Sequence, residues 1–207
     1  MSQRPADFSR RGFFMASFTK GSSSKKEFFK GRHRPEHWYR DNTLYFLTVR
    51  CTDRFPAFAS EAAKMVFWRQ FEKYATEHHF DVWICTLLDN HYHAIGYLPR
   101  GSDLAPMIRK IHGSTAKLVN DLLTTRLVPF WDDYFDGCLR DETQFCRAYR
   151  YTLLQSQRHG ICADYREYRH TRVRLGLKKG LELARERKVF LRDVPYKRYQ
   201  KVAGPAD

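Results

Sequence analysis

The sequence has few cysteines, and their spacing matches no common metal-binding motif. Its 207 residues include Cys51, Cys85, Cys138, Cys146 and Cys162, an odd number without any C-x-x-C pair. We therefore expect neither a cysteine-based zinc site nor a disulfide framework. The pattern is typical of reduced, mostly buried thiols in a cytoplasmic protein.

Long apolar segments are missing as well. No run approaches the roughly 20 apolar residues that a membrane helix needs. The N-terminal stretch from Gly12 to Phe18 is too short for the apolar core of a signal peptide. We expect a soluble cytoplasmic protein that has no membrane partner.

Positive charge, by contrast, is abundant and unevenly placed, with a formal net charge of +14. Residues 1–40 carry ten Lys/Arg and three Asp/Glu, residues 41–157 thirteen and fourteen, and residues 158–207 fourteen and six. The three net charges are therefore +7, −1 and +8. A near-neutral body with basic flanks suits a polyanionic partner, because each cation set on a phosphate releases condensed counterions. A solubilising tail is the alternative explanation.

Hydrophobic periodicity predicts alternating strands and helices after residue 40. Apolar, β-branched stretches at 45–51, 80–88 and 91–98 predict strands. Helices are predicted to begin at Ser60, at Ser102-Asp103 and at the capping box Asp141-Glu-Thr-Gln144. The order strand, helix, strand, strand, helix, possible strand, helix predicts an α+β fold, a ferredoxin-like antiparallel sheet covered by helices. We expect the second helix to bury Leu104, Ile108, Ile111, Thr115, Leu118 and Leu122.

Two histidines, His91 and His93, begin the third predicted strand directly after the turn Asp89-Asn90. Positions i and i+2 of a strand point to the same face, so both imidazoles can bind one cation. The spacing alone is weak evidence, since nine histidines give roughly 0.4 such pairs by chance. Their place in an apolar hairpin is the stronger argument, because each buried imidazole costs desolvation unless it is bonded.

Tyr151 and Gln155 lie four residues apart on the third predicted helix and therefore share a face. They lie about 100° or more from the centre of the apolar stripe. That stripe consists of Phe145, Ala148, Tyr149, Thr152 and Leu153. Arg147 lies on the side of Tyr151, one turn earlier. Taken alone, Tyr151 is one of twelve tyrosines and reads as a surface or groove residue, whereas its nearest competitor, Tyr149, falls on the apolar side.

In this order the motifs resemble the HUH single-tyrosine transposases, particularly the REP-associated tyrosine transposases, over roughly residues 40–165. The family's histidine–hydrophobic–histidine strand, usually preceded by Met-Pro-Asn, is matched by Leu88-Asp-Asn-His-Tyr-His93. Its aromatic stretch is matched by Phe130-Trp131 and Tyr134-Phe135, and its tyrosine helix by Arg150-Tyr-Thr-Leu-Leu-Gln155. Asp89 stands where proline is usual. Gln155-Ser156 replaces the common Asn-Pro and resembles the insertion-sequence branch of the family.

The resemblance implies a metal-dependent enzyme that nicks and rejoins single-stranded or hairpin DNA. Tyr151 is then the nucleophile, and attack gives a 5′-phosphotyrosine link and a free 3′-hydroxyl. His91, His93 and the amide oxygen of Gln155 are the implied metal ligands. This mixed nitrogen and oxygen set suits Mg²⁺ or Mn²⁺, with Zn²⁺ as a further option.

Further expectations concern contacts and organisation. We assign DNA contacts to Arg147, Arg150, Tyr134 and Arg158, because cations track phosphates and aromatic rings stack on bases. We divide the chain into a basic flexible arm (1–40), the transposase-like catalytic domain (41–165) and a basic C-terminal extension (166–207) that contacts DNA. A homodimer is compatible with the resemblance, since in some relatives the tyrosine helix serves the partner's site.

Two other functional classes remain open at this point. The first is a non-catalytic DNA-binding module that keeps the fold, against which the presence of all four site residues argues. The second is a metal-dependent hydrolase in which water attacks. Asp89 is the only obvious carboxylate beside the histidines that could act as its base.

Overall fold

The computed structural model describes residues 38–132, 134–190 and 197–198. Its strands are β1 (Trp38–Tyr39), β2 (Thr43–Arg50), β3 (Asp81–Leu87), β4 (His91–Leu98), β5 (Phe135–Leu139), β6 (Thr171–Val173) and β7 (Lys197–Arg198). Its helices are α1 (Glu61–Glu77), α2 (Leu104–Asn120), α3 (Glu142–Leu153), α4 (Gln155–Arg158) and α5 (Leu177–Glu186). Short 3-10 turns lie at Thr52–Arg54, Gly101–Asp103 and Tyr165–Glu167.

Five strands form one antiparallel sheet in the order β5-β2-β4-β3-β6, while β1 pairs separately with β7. The strands β2 to β5 alternate with α1 and α2 in the βαββαβ order of a ferredoxin-like layer. β6 adds a fifth strand along the outer side of β3. The predicted α+β fold with its antiparallel, helix-covered sheet is confirmed.

Side-chain alternation along the strands gives the sheet two buried faces. The first face packs against α1 and α2 and includes Leu47, Val49 and Tyr92. The second face packs against α3 and α5 and includes Trp83 and Ile95. Because His91 and His93 flank Tyr92 along β4, their side chains point to the second face, towards α3.

The helix starts follow the predicted capping residues in two of three cases. Ser60 accepts a hydrogen bond from the Ala63 N–H at 3.2 Å and caps α1. Asp141 accepts one from the Gln144 N–H at 2.8 Å and caps α3. At the predicted Ser102-Asp103 start the chain forms a 3-10 turn, and α2 begins without a side-chain cap.

Two predictions on the helices are wrong in detail. Leu118 and Leu122 are 38% and 51% exposed, and Val119 is buried in their place. The helical period, counted on from Thr115, reaches the core again at Val119, and α2 ends before Leu122. The third helix does not run unbroken to about Gln157, because the chain leaves helical geometry at Leu154 and restarts as α4.

The described C-terminal residues pack on the same sheet and core. α5 lies so close to α3 that a Cβ on Gly180 would be 3.1 Å from Phe145 and 3.3 Å from Trp83. The division at residue 166 and the DNA contacts of the extension stay predictions. Most of the predicted basic arm, residues 1–37, lies outside the described residues. Within the described ranges no helix is long and apolar enough to cross a membrane.

Candidate active site

Strand pairing sets the surroundings of the two histidines. On β2, Arg50 lies directly opposite His91 and Thr48 directly opposite His93. The two imidazole rings are 5.1 Å apart between centroids, at an angle of 83°. His93 is 2% exposed and His91 is half-buried. The pair therefore lies at the boundary between the core of the second face and solvent.

One nitrogen of each imidazole is already used within the protein. Nδ1 of His93 lies 2.9 Å from the Thr48 hydroxyl oxygen. Nδ1 of His91 lies 2.5 Å from Oδ1 of Asn90, whose amide nitrogen donates to the Arg54 carbonyl oxygen at 2.9 Å. Since a carbonyl-type oxygen only accepts, Nδ1 of His91 carries the proton and Nε2 keeps its lone pair. This tautomer suits a metal ligand.

Both histidines are uncharged at neutral pH. Burial is the main cause and lowers the pKa of His91 to about 4 and that of His93 to about 3. Nearby positive groups act in the same direction, among them Arg50 for both histidines and Arg158 for His93. A neutral imidazole has a lone pair to offer, so the pair needs no deprotonation before it binds a cation.

Gln155 links the histidines to the tyrosine helix. Its side chain is 1% exposed, and its amide nitrogen donates to the Tyr151 carbonyl oxygen at 2.9 Å. The side chain also lies within hydrogen-bonding range of His91 and acts to raise its pKa, because an oxygen acceptor there favours the protonated ring. The amide oxygen therefore faces His91, and the three predicted ligands come together despite the break in the helix.

Tyr151 lies against the same histidines. Its ring is 5.0 Å from that of His93 between centroids, at 84°, and 6.1 Å from that of Phe46. The Arg158 guanidinium carbon is 4.8 Å from the centre of the tyrosine ring. Tyr151 is half-buried, so the site is open to a ligand on one side.

Tyr149, the competing tyrosine, is a core residue. It is 2% exposed, and its hydroxyl donates to the Leu175 carbonyl oxygen at 2.9 Å. Burial raises the pKa of Tyr149 to about 12. It therefore joins α3 to the residues after β6 and lies away from the histidine pair.

The end of α3 is fixed to the sheet beside the site. The Thr86 hydroxyl on β3 donates to the Thr152 carbonyl oxygen at 2.7 Å. Thr86 lies directly opposite His93 in the β3–β4 pairing. The residue after Tyr151 is thus tied to a neighbour of His93, which defines the distance between the tyrosine helix and the histidine strand.

Several cations surround the pair, and sequence reasoning identified only Arg158. Arg50 and Arg54 act electrostatically on His91, and the His159 ring lies 5.0 Å from that of His91. Asp53 and Arg54 have positive φ values of 52° and 57°, which are uncommon for residues other than glycine. No local signal marks these residues, since strand pairing and a turn bring them to the site.

The other predicted DNA contacts are placed differently. Arg147 and Arg150 are exposed on α3. Tyr134 packs instead with the cluster on the first face, where its ring is 6.0 Å from that of His112. The sheet therefore lies between Tyr134 and Tyr151.

The ligand atoms available at the site determine which metal ion could bind here. Within the described residues no group of three His, Cys, Asp or Glu side chains is placed to hold a metal ion. Two neutral imidazoles and one amide oxygen form the only set that the site geometry offers in that part of the chain. The Asp89 carboxylate is paired with the Lys64 amine at 2.6 Å. The nitrogen and oxygen donors fit a divalent cation that keeps open positions for other ligands.

Comparison with known proteins supports the fold. No protein-family model and no curated protein matches the chain in sequence. A REP-associated tyrosine transposase bound to a REP hairpin matches in structure, with 15% identity and a TM-score of 0.58, over 85% of this chain and 99% of that chain. A candidate transposase from Deinococcus radiodurans R1 matches with 11% identity and a TM-score of 0.42, over 61% of this chain and 95% of that chain. The resemblance seen in the motifs is confirmed at the level of the fold.

Proposed function

We propose that this protein is a transposase-type enzyme that nicks and rejoins single-stranded DNA through Tyr151. The observation that carries the proposal is the position of Gln155, which bonds the Tyr151 backbone and lies against His91 at the same time. A single side chain thereby joins the nucleophile to the ligand pair.

The proposed substrate is single-stranded DNA that carries a hairpin. The fold neighbour with a TM-score of 0.58 is bound to a REP hairpin, which supports this class of ligand. The site supports it too, because Arg50, Arg54 and Arg158 make no salt bridge within the described residues. Unpaired guanidinium groups beside a nucleophile suit phosphate oxygens, which they bind through charge-assisted hydrogen bonds.

His91, His93 and Gln155 would hold a divalent cation, Mg²⁺ or Mn²⁺. When bound, the cation polarises phosphorus and neutralises developing charge. Thr48 and Asn90 hold the two Nδ1 atoms, so that both Nε2 atoms are presented as ligands. Gln155 supplies the third donor from a different element, so the position of α3 and α4 controls whether the ligand set is complete.

The covalent step would use the Tyr151 hydroxyl oxygen as nucleophile. That oxygen attacks phosphorus and loses its proton to solvent, the P–O3′ bond breaks, and the 3′-oxygen leaves as a hydroxyl after it takes a proton. The product is a 5′-phosphotyrosine link with a free 3′-hydroxyl. Because one phosphoester bond replaces another, a second strand's 3′-hydroxyl can reverse the step without ATP.

The hydrolase alternative loses support. Asp89, the one carboxylate that sequence reasoning placed near the histidines, is paired with Lys64, and Lys64 is a buried residue of α1 on the first face. Within the described residues, the carboxylate proposed as a base for water is thus engaged by a lysine of α1. The homodimer also becomes unnecessary for chemistry, since Tyr151 and His93 of one chain are already in contact.

A denaturing-gel assay tests the proposal. The full chain is incubated with Mn²⁺ or Mg²⁺ and a labelled hairpin library whose single-stranded flanks are randomised. We expect a denaturation-resistant protein–DNA adduct in the wild type and in Tyr149→Phe, and none in Tyr151→Phe. Cleavage without an adduct would establish the hydrolase, and binding without cleavage the non-catalytic module; either result overturns the proposal.

A further inference from the structure

A shallow cavity of about 570 Å³, wide open to solvent, lies on the first face of the sheet, away from Tyr151. It lies between α2 and the chain that precedes β5. Its walls include Arg109, His112, Gly113, Phe130, Trp131 and Tyr134. The volume is within the range of small-ligand pockets, about 300–1,000 Å³.

One wall consists of fixed aromatic rings. The rings of His112 and Trp131 are stacked, with centroids 4.7 Å apart and an interplanar angle of 23°. The Trp131 indole N–H donates to the His112 carbonyl oxygen at 3.1 Å, and the Tyr92 hydroxyl lies 3.1 Å from Nε2 of His112. These bonds hold the wall in place before any ligand binds, which lowers the entropic cost of stacking a planar group beside it.

Gly113, the next residue of α2 after His112, has no role in the packing of the described residues. It lies in the interior of α2, where glycine costs about 1 kcal/mol relative to alanine. A Cβ at this position would meet nothing within 4 Å, and its φ is not in the left-handed region. The fold therefore does not require glycine here. Because Gly113 has no side chain, the space of the cavity stays open.

Arg109 provides a charge at the rim. Its side chain is exposed and makes no ion pair, hydrogen bond or ring contact within the described residues. Its neighbour Lys110 behaves differently and is paired with Glu77. A guanidinium without a protein partner beside an aromatic wall suits a ligand that is both planar and anionic.

The cavity and the candidate active site lie at the same end of the sheet. The Asp132 N–H donates to the Arg50 carbonyl oxygen at 2.9 Å, and the backbones of Trp131 and Cys51 form an antiparallel β-bridge. Arg50 in turn lies directly opposite His91. Along the plane of the sheet the two sites are thus two strand spacings apart, about 10 Å, and they lie on its opposite faces. One extended DNA strand can reach both by passing over the end of β2.

We propose that this cavity binds one unstacked nucleobase of the DNA strand that Tyr151 cleaves, with Arg109 on an adjacent phosphate. The proposal rests on the proposed function for the identity of the strand. It assigns the cavity a role in specificity, since a base held here fixes the register of the strand at Tyr151. Stacking on protein rings is worth about 1–3 kcal/mol per base, which is about 5- to 150-fold in affinity.

The test measures binding without chemistry, in the full chain carrying Tyr151→Phe. Hairpins that form adducts with the wild type are resynthesised with one abasic nucleotide at each position of the single-stranded flanks. We expect one position near the cleaved bond at which the abasic nucleotide weakens binding about tenfold. In Tyr134→Leu the intact DNA should bind about tenfold less tightly, and the same abasic nucleotide should cause no further loss. Tyr134→Phe, which keeps the ring, should behave as the parent chain.

Two further comparisons sharpen the result. Arg109→Gln should weaken binding more than Lys117→Gln, which removes the same charge from the same helix but does not line the cavity. Gly113→Leu should abolish the response to the abasic nucleotide while its thermal unfolding shows an intact fold. The proposal is wrong if the loss of affinity caused by the abasic nucleotide and the loss caused by Tyr134→Leu add at every position of the flank. It is also wrong if Gly113→Leu binds the intact and the abasic DNA as the parent chain does. In either case no base occupies the cavity. Such a result with adducts still formed by the wild type leaves the cleavage proposal standing. Absence of adducts overturns the cleavage proposal, and the abasic series is then made from the hairpins that the chain binds, where the same outcomes decide whether a base occupies the cavity.

Discussion

The Thr48 hydroxyl oxygen lies 2.9 Å from Nδ1 of His93, the residue directly opposite it on the neighbouring strand. This contact holds the imidazole ring in one orientation and leaves Nε2 as the nitrogen for a cation. A partner of this kind raises ligand basicity and fixes ring direction. The position of the ligand therefore depends on the β2–β4 register as well as on the histidine itself.

Replacement of that hydroxyl by a methyl group should weaken metal binding without disturbing the strand. We expect Thr48→Val to lower Mn²⁺ affinity by about 10- to 100-fold, because loss of such a partner typically costs this much. Calorimetric titration of each purified chain with Mn²⁺ measures this affinity. Thr115→Val is the matched control, since that buried hydroxyl has no hydrogen-bond partner within the described residues. Equal affinity of Thr48→Val and wild type would contradict the assigned role.

Mixing two inactive chains tests whether the site is built from one molecule. A chain with His91→Ala and His93→Ala is mixed with a Tyr151→Phe chain, and DNA adducts are counted on a denaturing gel. We expect none, because Tyr151 and His93 of the same chain are 5.0 Å apart between ring centroids. Recovery of adducts in the mixture would show that the tyrosine serves a partner's histidines.

Two helical glycines should respond to alanine in opposite directions. In Gly180→Ala the new Cβ would be 3.1 Å from Phe145 and 3.3 Å from Trp83, both fully buried, so we expect a loss of about 1–3 kcal/mol. In Gly113→Ala the Cβ meets nothing within 4 Å, so the better helix propensity should stabilise the chain by up to about 1 kcal/mol. Urea unfolding measures both. Stabilisation by Gly180→Ala would mean that α5 can move away from the core.

Acid should destabilise the protein through His112. Burial lowers the pKa of His112 to about 3, while in the unfolded chain a histidine titrates near 6.5. Between these values the unfolded chain binds more protons, so the free energy of unfolding falls as pH falls, by up to about 1.4 kcal/mol per pH unit. His112→Asn should therefore lose less stability than the wild type between pH 7 and pH 5.

Urea unfolding at pH 7 and pH 5 measures the free energy of unfolding of each chain at both pH values. The difference between the two values is compared between chains, because a packing cost of the substitution is the same at both and cancels. His79→Asn is the control, because His79 is exposed and its positive φ of 55° is one that asparagine tolerates. An equal pH response in wild type and His112→Asn would show that His112 is already accessible to protons in the folded state.

Local patterns predicted the strands β2, β3 and β4 and which of the candidate site residues share a face. Apolar alternation and capping residues predicted the element order, and the two-residue spacing placed His91 and His93 on one face. Tyr151 and Gln155 were paired by helical spacing, and the Gln155 bond to the Tyr151 carbonyl oxygen keeps them together where α3 breaks. These features depend on neighbours within a few positions, which a single sequence displays directly.

What the sequence could not supply are contacts between elements far apart along the chain. Thr48, Arg50 and Arg54 come to the histidines through the β2–β4 register and the turn that follows, and nothing local marks them. Tyr134 was predicted to contact DNA, and only the packing of the chain before β5 shows that it lies on the other face from Tyr151.

The sequence itself thus determined that His91 and His93 share a strand face and that Tyr151 and Gln155 share a helix face, because periodicity fixes which side chains lie together. The tertiary structure decided the rest: which nitrogen of each imidazole is presented, which cations surround it, and which face each aromatic ring occupies. The physical reason is that strand register and helix docking are set by the burial of the whole core. No short segment contains that information.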